Sequence, residues 1–144
     1  FNPSSTFMGD MGAYTLGFVL AILAIKLKFD VQPLNVTWMV PIFVLALPVL
    51  DINLAILTRL AEGRSPMQAG KDHISHRIMS MGFSQRQTLF ILYSFSALFG
   101  FIAVVISQES VEMAQVVGGL SLGALIGVFF LLVLVRKIYQ RPTQ

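Results

Sequence analysis

Apolar residues fill four long stretches of the chain, at residues 11–29, 36–60, 88–107 and 116–135. Strongly polar residues are concentrated in the short segments between these stretches. A helix needs about 20 apolar residues to cross the hydrocarbon core of a bilayer, and each stretch approaches or exceeds that length. The pattern therefore predicts an all-α protein, a polytopic transmembrane helical bundle with four spans and a polar loop at residues 61–87.

Helix-breaking residues refine this prediction. The second stretch contains Pro41 and Pro48, and we expect a kink or break near the second proline because its ring cannot continue the helical hydrogen bonds. In the polar loop, Gly63, Pro66 and Gly70 exclude one continuous helix through the first half.

Composition agrees with a membrane protein. Of the 144 residues, 56% are hydrophobic and only 12% are charged, whereas soluble domains carry about 25% charged residues. The spans leave little room for a separate soluble domain, so we expect residues 1–144 to form a single membrane-embedded unit. The chain contains no cysteine, which excludes disulfides, thiolate metal sites and cysteine nucleophiles.

The net charge of +3 is unevenly distributed, which favours a membrane orientation over nucleic-acid binding. Eight basic residues would lie on one side of the bilayer: Arg59, Arg64, Lys71, Arg77, Arg86, Arg136, Lys137 and Arg141. Only Lys26 and Lys28 would lie on the other side. The positive-inside rule then places the 61–87 loop and the C-terminus in the cytoplasm, and four crossings place the N-terminal segment there too. We expect a multi-pass protein of the plasma membrane.

Two acidic residues are candidates for chemistry. Asp10, at the cytoplasmic start of the first span, has the oxygen ligands that Mg²⁺ prefers, although the helix dipole alone also favours an acid there. Asp51 lies deeper, within the second span. An acid inside a span is either a functional group or a structural carboxylate paired with a neighbouring helix.

The loop contains both histidines of the chain, in the segment Asp72-His73-Ile74-Ser75-His76-Arg77. On a helix, His73 and His76 would share one face. Three interpretations are open: a zinc site, which usually needs four ligands; a set of donors facing an anionic phosphate; or a solvated basic loop. These residues share the cytoplasmic face with Asp10, where a soluble charged substrate can meet a lipid-borne one.

Three segments together resemble one family. Residues 2–12 resemble the signature N-P-x-x-x-F-M-G-D-x-G of the polyprenyl-phosphate N-acetylhexosamine-1-phosphate transferases (glycosyltransferase family 4). Residues 48–51 resemble its P-x-x-D, and residues 72–77 with 82–87 resemble its D-H-x-H-H-R loop and the following G-x-S-x-R-Q. The family includes enzymes that start O-antigen, teichoic-acid and arabinogalactan lipid intermediates, and it is related to the phospho-N-acetylmuramoyl-pentapeptide transferases.

The resemblance implies transfer of a sugar-1-phosphate from a UDP-N-acetylhexosamine to polyprenyl phosphate, with release of UMP. The implied cofactor is Mg²⁺, or Mn²⁺ in its place. By position, Asp10 corresponds to the metal-ligating and catalytic aspartate, and His73 and His76 to catalytic residues at the diphosphate. The expected substrate-binding residues are Asn2, Asp51, Arg59, Asp72 and Arg77.

The chain departs from the family pattern in two ways. Ser75 replaces a common histidine, and Gly70 stands where an acid commonly occurs. Nothing in the chain resembles the N-terminal half of the family, and the chain begins without an initiator Met or a basic signal-peptide region. We therefore expect a C-terminal fragment that is inactive alone. Its expected partners are the N-terminal half of the enzyme, membrane lipid, and a second copy in a homodimer.

A second hypothesis comes from a different functional class. A small four-span channel or transporter subunit would use Asp51 as an intramembrane ion or proton site. Gly119, Gly123 and Gly127, which share one helix face, would then permit close contact between subunits. The two hypotheses differ at Asp10, because a transporter has no special need for that carboxylate.

Overall fold

The structure, a computed structural model, describes residues 9–26, 34–68, 70 and 72–139. These residues form helices and connecting segments and contain no strand. The helices are α1 (Gly9–Lys26), α2 (Leu34–Thr37), α3 (Met39–Val44), α4 (Ala46–Ala61), α5 (Ile74–Ser80), α6 (Gln85–Gln108) and α7 (Val111–Tyr139). The prediction of an all-α polytopic membrane bundle is confirmed.

The predicted count of four long spans is wrong by one. Among the described residues, three helices are long and apolar enough to cross a membrane, namely α1, α6 and the Val111–Arg136 part of α7. The remaining predicted span, residues 36–60, is divided among the short helices α2 and α3 and the longer α4. None of these three meets the length and hydropathy of a candidate span.

Two prolines explain this division. A proline cannot donate a hydrogen bond to the carbonyl four residues earlier, and its ring crowds that carbonyl. For Pro41 and Pro48 the affected carbonyls belong to Thr37 and Val44, the residues at which α2 and α3 end. Helical hydrogen bonds still bridge the second junction, from Leu45 N to Pro41 O at 3.0 Å and from Val49 N to Leu45 O at 3.0 Å. The helix is thus interrupted at Leu45, three residues before Pro48, while hydrogen bonds continue across the interruption, which agrees with the expected kink or break near Pro48.

The chain divides into two compact units, residues 1–31 and residues 32–144. In the first unit, α1 begins at Gly9, whose positive φ of 69° is readily adopted by glycine. Asp10 lies in the first turn of this helix and Lys26 in the last, and α1 buries no residue. Its long apolar surface suits a lipid environment.

In the second unit, α4, α5, α6 and α7 pack around one apolar core. Its buried residues are Leu50, Leu54, Ile74, Ile78 and Leu132. Ile74 and Ile78 are four residues apart on α5, so one face of this short helix is fixed against the core. Helix α6 begins with a capping box in which Ser84 and Gln87 exchange hydrogen bonds. These contacts give the segment that carries both histidines a defined position.

The glycine stripe is not used in this packing. Gly119, Gly123 and Gly127 are exposed, and a β-carbon added to any of them meets no atom within 4 Å. The neighbouring Gly118 is buried instead, and a β-carbon there would collide with Met39. Within the described part of the second unit, α7 therefore approaches α3 through Gly118.

Candidate functional site

The histidine segment is fixed by turns at both ends. Helix α4 ends at Ala61, and Gly63 turns the chain with a φ of 68°. Helix α5 then extends from Ile74 to Ser80, and Gly82, with a φ of 99°, turns the chain into α6. The described residues between 62 and 73 are not helical, as the loop breakers predicted.

His73 is held by Asp51. The Nδ1 atom of His73 lies 2.8 Å from Asp51 Oδ2, a geometry in which the Nδ1–H tautomer donates to the carboxylate. The other oxygen, Oδ1, accepts from the backbone N–H of Ile74 at 2.7 Å. The His73 side chain nevertheless remains 45% exposed. Asp51 therefore fixes the ring and the start of α5 together while the imidazole can still reach a ligand.

His76 follows one turn later on α5. Its backbone N–H donates to His73 O at 3.1 Å, and its side chain is half-buried. Close by, a cavity of about 250 Å³ is lined by Leu47, Pro48, Asp51, Ile74, Ser75 and Leu92. The Asp51–His73 pair thus adjoins a cavity that Asp51 itself lines, and His76 lies on the helix that follows His73.

Asp72 is the centre of a group of ion pairs that we call the acid–arginine cluster, formed by Arg59, Glu62, Arg64, Asp72 and Arg136. Asp72 Oδ2 accepts from Arg59 Nε at 3.0 Å, and Oδ1 accepts from Arg64 Nη2 at 2.9 Å and from Arg136 Nη1 at 2.5 Å. Glu62 pairs with Arg64 and with Arg136. Asp72 is only 2% exposed.

These contacts determine the charge state of Asp72. Burial on its own raises the pKa of Asp72, but the hydrogen bonds from Arg64, Arg136 and Arg59 outweigh burial and hold that pKa well below its ordinary range. The carboxylate is therefore ionised at neutral pH, which a buried acid surrounded by three guanidinium groups requires.

Arg77 is fully buried. Its three nitrogens donate to Asp72 O at 3.2 Å, to Leu132 O at 2.8 Å and to Thr58 Oγ1 at 2.5 Å. Burial lowers the pKa of Arg77 to about 10, and the charge of Arg136 acts in the same direction. Arg77 is therefore still protonated at neutral pH, and its donors are used to join α4, α5 and α7.

The structure brings together six of the eight predicted site residues in the second unit. Asp51 and His73 form a direct pair, His76 follows three residues later on α5, and Arg59, Asp72 and Arg77 form a connected network. Asp10 lies in the other unit, on α1. Asn2 lies outside the described residues.

Sequence reasoning missed Glu62, Arg64 and Arg136 as members of this network. Arg136 pairs with Asp72 although the two residues are 64 positions apart in the chain. In the sequence, Arg136 is recognisable only as the first charged residue after an apolar span. Glu62 and Arg64 lie two residues apart and pair directly. That proximity is a weak local signal, because exposed pairs of this kind are common and contribute little.

No group of three or more His, Cys, Asp or Glu side chains capable of holding a metal ion occurs among the described residues. This finding does not support the zinc interpretation of the histidine segment. A magnesium ion needs fewer protein ligands, because it is commonly bound by one or two carboxylates together with substrate phosphates. The exposed carboxylate of Asp10, at the start of α1, fits that role.

The acid–arginine cluster predicts how stability depends on pH. Because the pKa of Asp72 is lower in the folded state than in the unfolded chain, its stabilising contribution is complete above about pH 4 and is lost as the pH falls further. Asp72→Asn is expected to lower the free energy of unfolding at pH 7 by about 3–5 kcal/mol, because three arginines lose their partner.

Thermal unfolding in detergent between pH 7 and pH 3 tests this expectation. The Asp72→Asn variant should lose less stability over that range than the wild-type chain. Glu112→Gln, in the exposed first turn of α7, is the control and should keep the wild-type pH dependence. Equal pH dependence of Asp72→Asn and the wild-type chain would contradict the assignment.

Comparison with curated proteins finds sugar-phosphate transferases. The chain is 29% identical over 114 residues to the probable undecaprenyl-phosphate N-acetylglucosaminyl 1-phosphate transferase of Bacillus subtilis (strain 168), covering 79% of this chain and 32% of that protein. It is 32% identical over 100 residues to the undecaprenyl-phosphate alpha-N-acetylglucosaminyl 1-phosphate transferase of Yersinia pestis, covering 69% and 27%. It is 29% identical over 111 residues to the decaprenyl-phosphate N-acetylglucosaminephosphotransferase of Mycolicibacterium smegmatis (strain ATCC 700084 / mc(2)155), covering 70% and 27%.

The chain thus spans about a third or less of the length of the curated relatives it matches. No protein-family profile matches the chain, and no solved structure matches it significantly.

Proposed function

Because this chain is homologous to part of the polyprenyl-phosphate N-acetylhexosamine-1-phosphate transferases, we propose that it contributes part of the active site of such an enzyme. The enzyme transfers N-acetylhexosamine-1-phosphate from a UDP-sugar to polyprenyl phosphate and so starts a cell-envelope glycan. The alternative of a channel or transporter subunit is not favoured, since the relatives named above are all transferases.

The observation that carries this proposal is the Asp51–His73 pair. Asp51 holds Nδ1 of His73 at 2.8 Å, which leaves Nε2 as the nitrogen directed to a ligand. In the reaction, an oxygen of polyprenyl phosphate attacks the sugar-bearing phosphorus of the UDP-sugar, and the bond to UMP breaks. Negative charge accumulates on the phosphate oxygens, and donors fixed in advance offset it. In this proposal such donors are His76 and the imidazolium form of His73, which donates from Nδ1 to Asp51 and from Nε2 to a phosphate oxygen.

The arginines have a different role in the proposal. Arg77 donates to Asp72 O, to Leu132 O and to Thr58 Oγ1. Arg59 pairs with the carboxylate of Asp72, so the polar groups of all three residues already bind other groups of the protein. These three residues therefore act by holding the histidine segment, and the imidazoles are the groups that face the nucleotide diphosphate.

Asp10 would hold Mg²⁺ together with substrate phosphate oxygens. When bound, the ion supplies positive charge that offsets the charge developing on the diphosphate. The role of Asp10 itself is to fix the ion at the start of α1, directly after Gly9.

The membrane arrangement is compatible with both substrates. None of α2, α3 and α4 is a candidate span by itself, but we propose that together they cross the bilayer as one bent segment, since the 28 residues from 34 to 61 would extend about 40 Å as a helix. With this crossing, the N-terminal segment, the 61–87 loop and the C-terminus lie in the cytoplasm, as the distribution of basic residues predicts. The UDP-sugar then enters from water and polyprenyl phosphate enters from the bilayer.

A reconstitution assay tests the proposed function. The 144-residue chain alone is expected to show no transfer from UDP-N-acetylglucosamine to polyprenyl phosphate, because it lacks about two thirds of the length of its relatives. Co-expression with the N-terminal part of the full-length protein should restore transfer. Robust turnover by the chain alone would contradict the proposal of a partial site, and no turnover by the full-length protein would contradict the proposed activity.

A further inference from the structure

Asp72 has a close neighbour in Gly70, two positions earlier in the chain. We infer that Asp72 and Gly70 form a matched pair. Gly70 leaves the space in which the Asp72 carboxylate lies among Arg59, Arg64 and Arg136. The carboxylate held there in turn positions His73. Only the expected effect of this pair on turnover rests on the proposed function. The pairing itself, and the position that it gives His73, rest on contacts within the second unit.

The carboxylate is held from three separate parts of the chain. Arg59 belongs to α4, Arg64 to the loop after it, and Arg136 to α7. All three reach Asp72 with nitrogen–oxygen distances of 3.0 Å or less. A single buried acid thus joins two long helices to the loop, so its loss leaves three arginines without their shared partner.

Position 70 requires glycine because the carboxylate of Asp72 leaves no space there for a β-carbon. A β-carbon on Gly70 would overlap Oδ2 of Asp72 and would approach Arg64 Nη1 to 3.3 Å. The φ angle of Gly70 is not among the positive values found at Gly9, Gly63 and Gly82. The backbone at position 70 therefore accepts a side chain, provided that the carboxylate of Asp72 is absent.

The same geometry connects the pair to His73. Asp72 is fixed at both ends, since its side chain binds the arginines and its backbone oxygen accepts from Arg77 Nε at 3.2 Å. His73 is the next residue, and it precedes the first residue of α5 with an extended ψ of 156°. A shift of Asp72 therefore moves the backbone of His73 and disturbs the hydrogen bond between His73 Nδ1 and Asp51. Asp72 and Gly70 are positioning residues in this sense.

Moving the carboxylate from position 72 to position 70 tests the inference. In the wild-type chain, Gly70→Asp would place two carboxylates in one space, and Asp72→Gly would remove the acid; each is expected to lower the melting temperature in detergent by about 5 °C or more. The double variant Gly70→Asp/Asp72→Gly supplies one carboxylate from the neighbouring position. It should recover at least half of the loss caused by the worse single change, and a smaller recovery would overturn the inference.

A second variant tests the space requirement without relying on that rescue. Gly70→Ala should lower the melting temperature by about 5 °C in the wild-type chain and by clearly less in the Asp72→Gly background. Equal losses in the two backgrounds would show that Asp72 does not occupy the space at position 70.

The positioning role has its own spectroscopic test. The chain contains only two histidines, so nitrogen-labelled histidine gives one signal set for His73 and one for His76 as an internal reference. The Nδ1–H signal of His73 should be lost or shifted in Asp72→Gly and should return in the double variant. An unchanged His73 signal in Asp72→Gly would overturn the positioning role.

These measurements separate failure of the inference from failure of the proposed function. Melting temperature and histidine spectra are recorded on the chain itself and require no catalysis. In the full-length protein, turnover should fall at least about tenfold in Asp72→Gly and return in the double variant. If the spectra follow the inference while turnover is unaffected, the proposed function of His73 fails and the structural pair stands. If the spectra and melting temperatures do not follow it, the matched pair fails whatever the activity.

Discussion

Replacing Asp10 by asparagine in the full-length protein is expected to abolish sugar-1-phosphate transfer, with a loss of at least about 10³-fold. The physical reason is that an amide carries no negative charge to hold Mg²⁺ beside the substrate phosphates. The change retains the size of the side chain, and Asp10 is exposed in the first turn of α1. We therefore expect normal membrane insertion and folding, and the loss should appear in turnover measured at saturating UDP-sugar.

A matched variant separates metal binding from the helix dipole. Glu112 is an acid in the first turn of α7, as Asp10 is in the first turn of α1. If an acid at these positions only favours the helix N-terminus, each replacement costs about 0.3–1 kcal/mol of stability and leaves turnover intact. Glu112→Gln should behave in this way. Turnover by Asp10→Asn within a factor of about three of wild type would contradict the metal role.

Replacing Asp51 by asparagine is expected to lower turnover by about 10²–10⁴-fold. An asparagine can still accept from the N–H of Ile74, which the carboxylate now does at 2.7 Å, so α5 should keep its start. The amide carries no negative charge to stabilise the imidazolium form of His73, so Nε2 loses the positive charge that strengthens its hydrogen bond to phosphate. The loss should therefore appear mainly in kcat, with a changed pH profile of kcat/KM.

The control for this prediction lies on the same helix. Asn53 is exposed on α4, and its side chain donates to Val49 O at 2.7 Å within the same helix. Asn53→Ala should leave turnover and the pH profile unchanged, which shows that α4 tolerates a polar change near Asp51. If Asp51→Asn keeps both the wild-type kcat and the wild-type pH profile, the Asp51–His73 pair has no part in the reaction.

Much of the fold follows from local sequence. Apolar length predicted helices at α1, α6 and α7, and Pro48 predicted the break before α4. The error in span count also has a local cause, because Pro41 adds a second interruption and leaves α2 and α3 too short to cross alone. Apolar length thus indicated which segments are helical more reliably than how many helices are long enough to cross a membrane alone.

The candidate site was predicted less completely. Asp51, His73 and His76 were singled out from their residue types and from the resemblance, and the structure places Asp51 on His73. The internal contacts of Arg59, Asp72 and Arg77 were not predicted, because a basic loop is compatible with either solvent or partners. Only the positions of other helices decide which of these charges have partners.

Residue types and their order are enough to show that this protein is helical, apolar along most of its length, and polar chiefly in the segment that contains both histidines, because backbone hydrogen bonding and the cost of charge in lipid act on short stretches of chain. Only the folded chain shows that Asp51 contacts His73 across 22 positions and that Arg136 contacts Asp72 across 64. Those pairings depend on how α4, α5 and α7 pack together, and no local pattern of residues encodes the distance between two side chains that far apart in the chain.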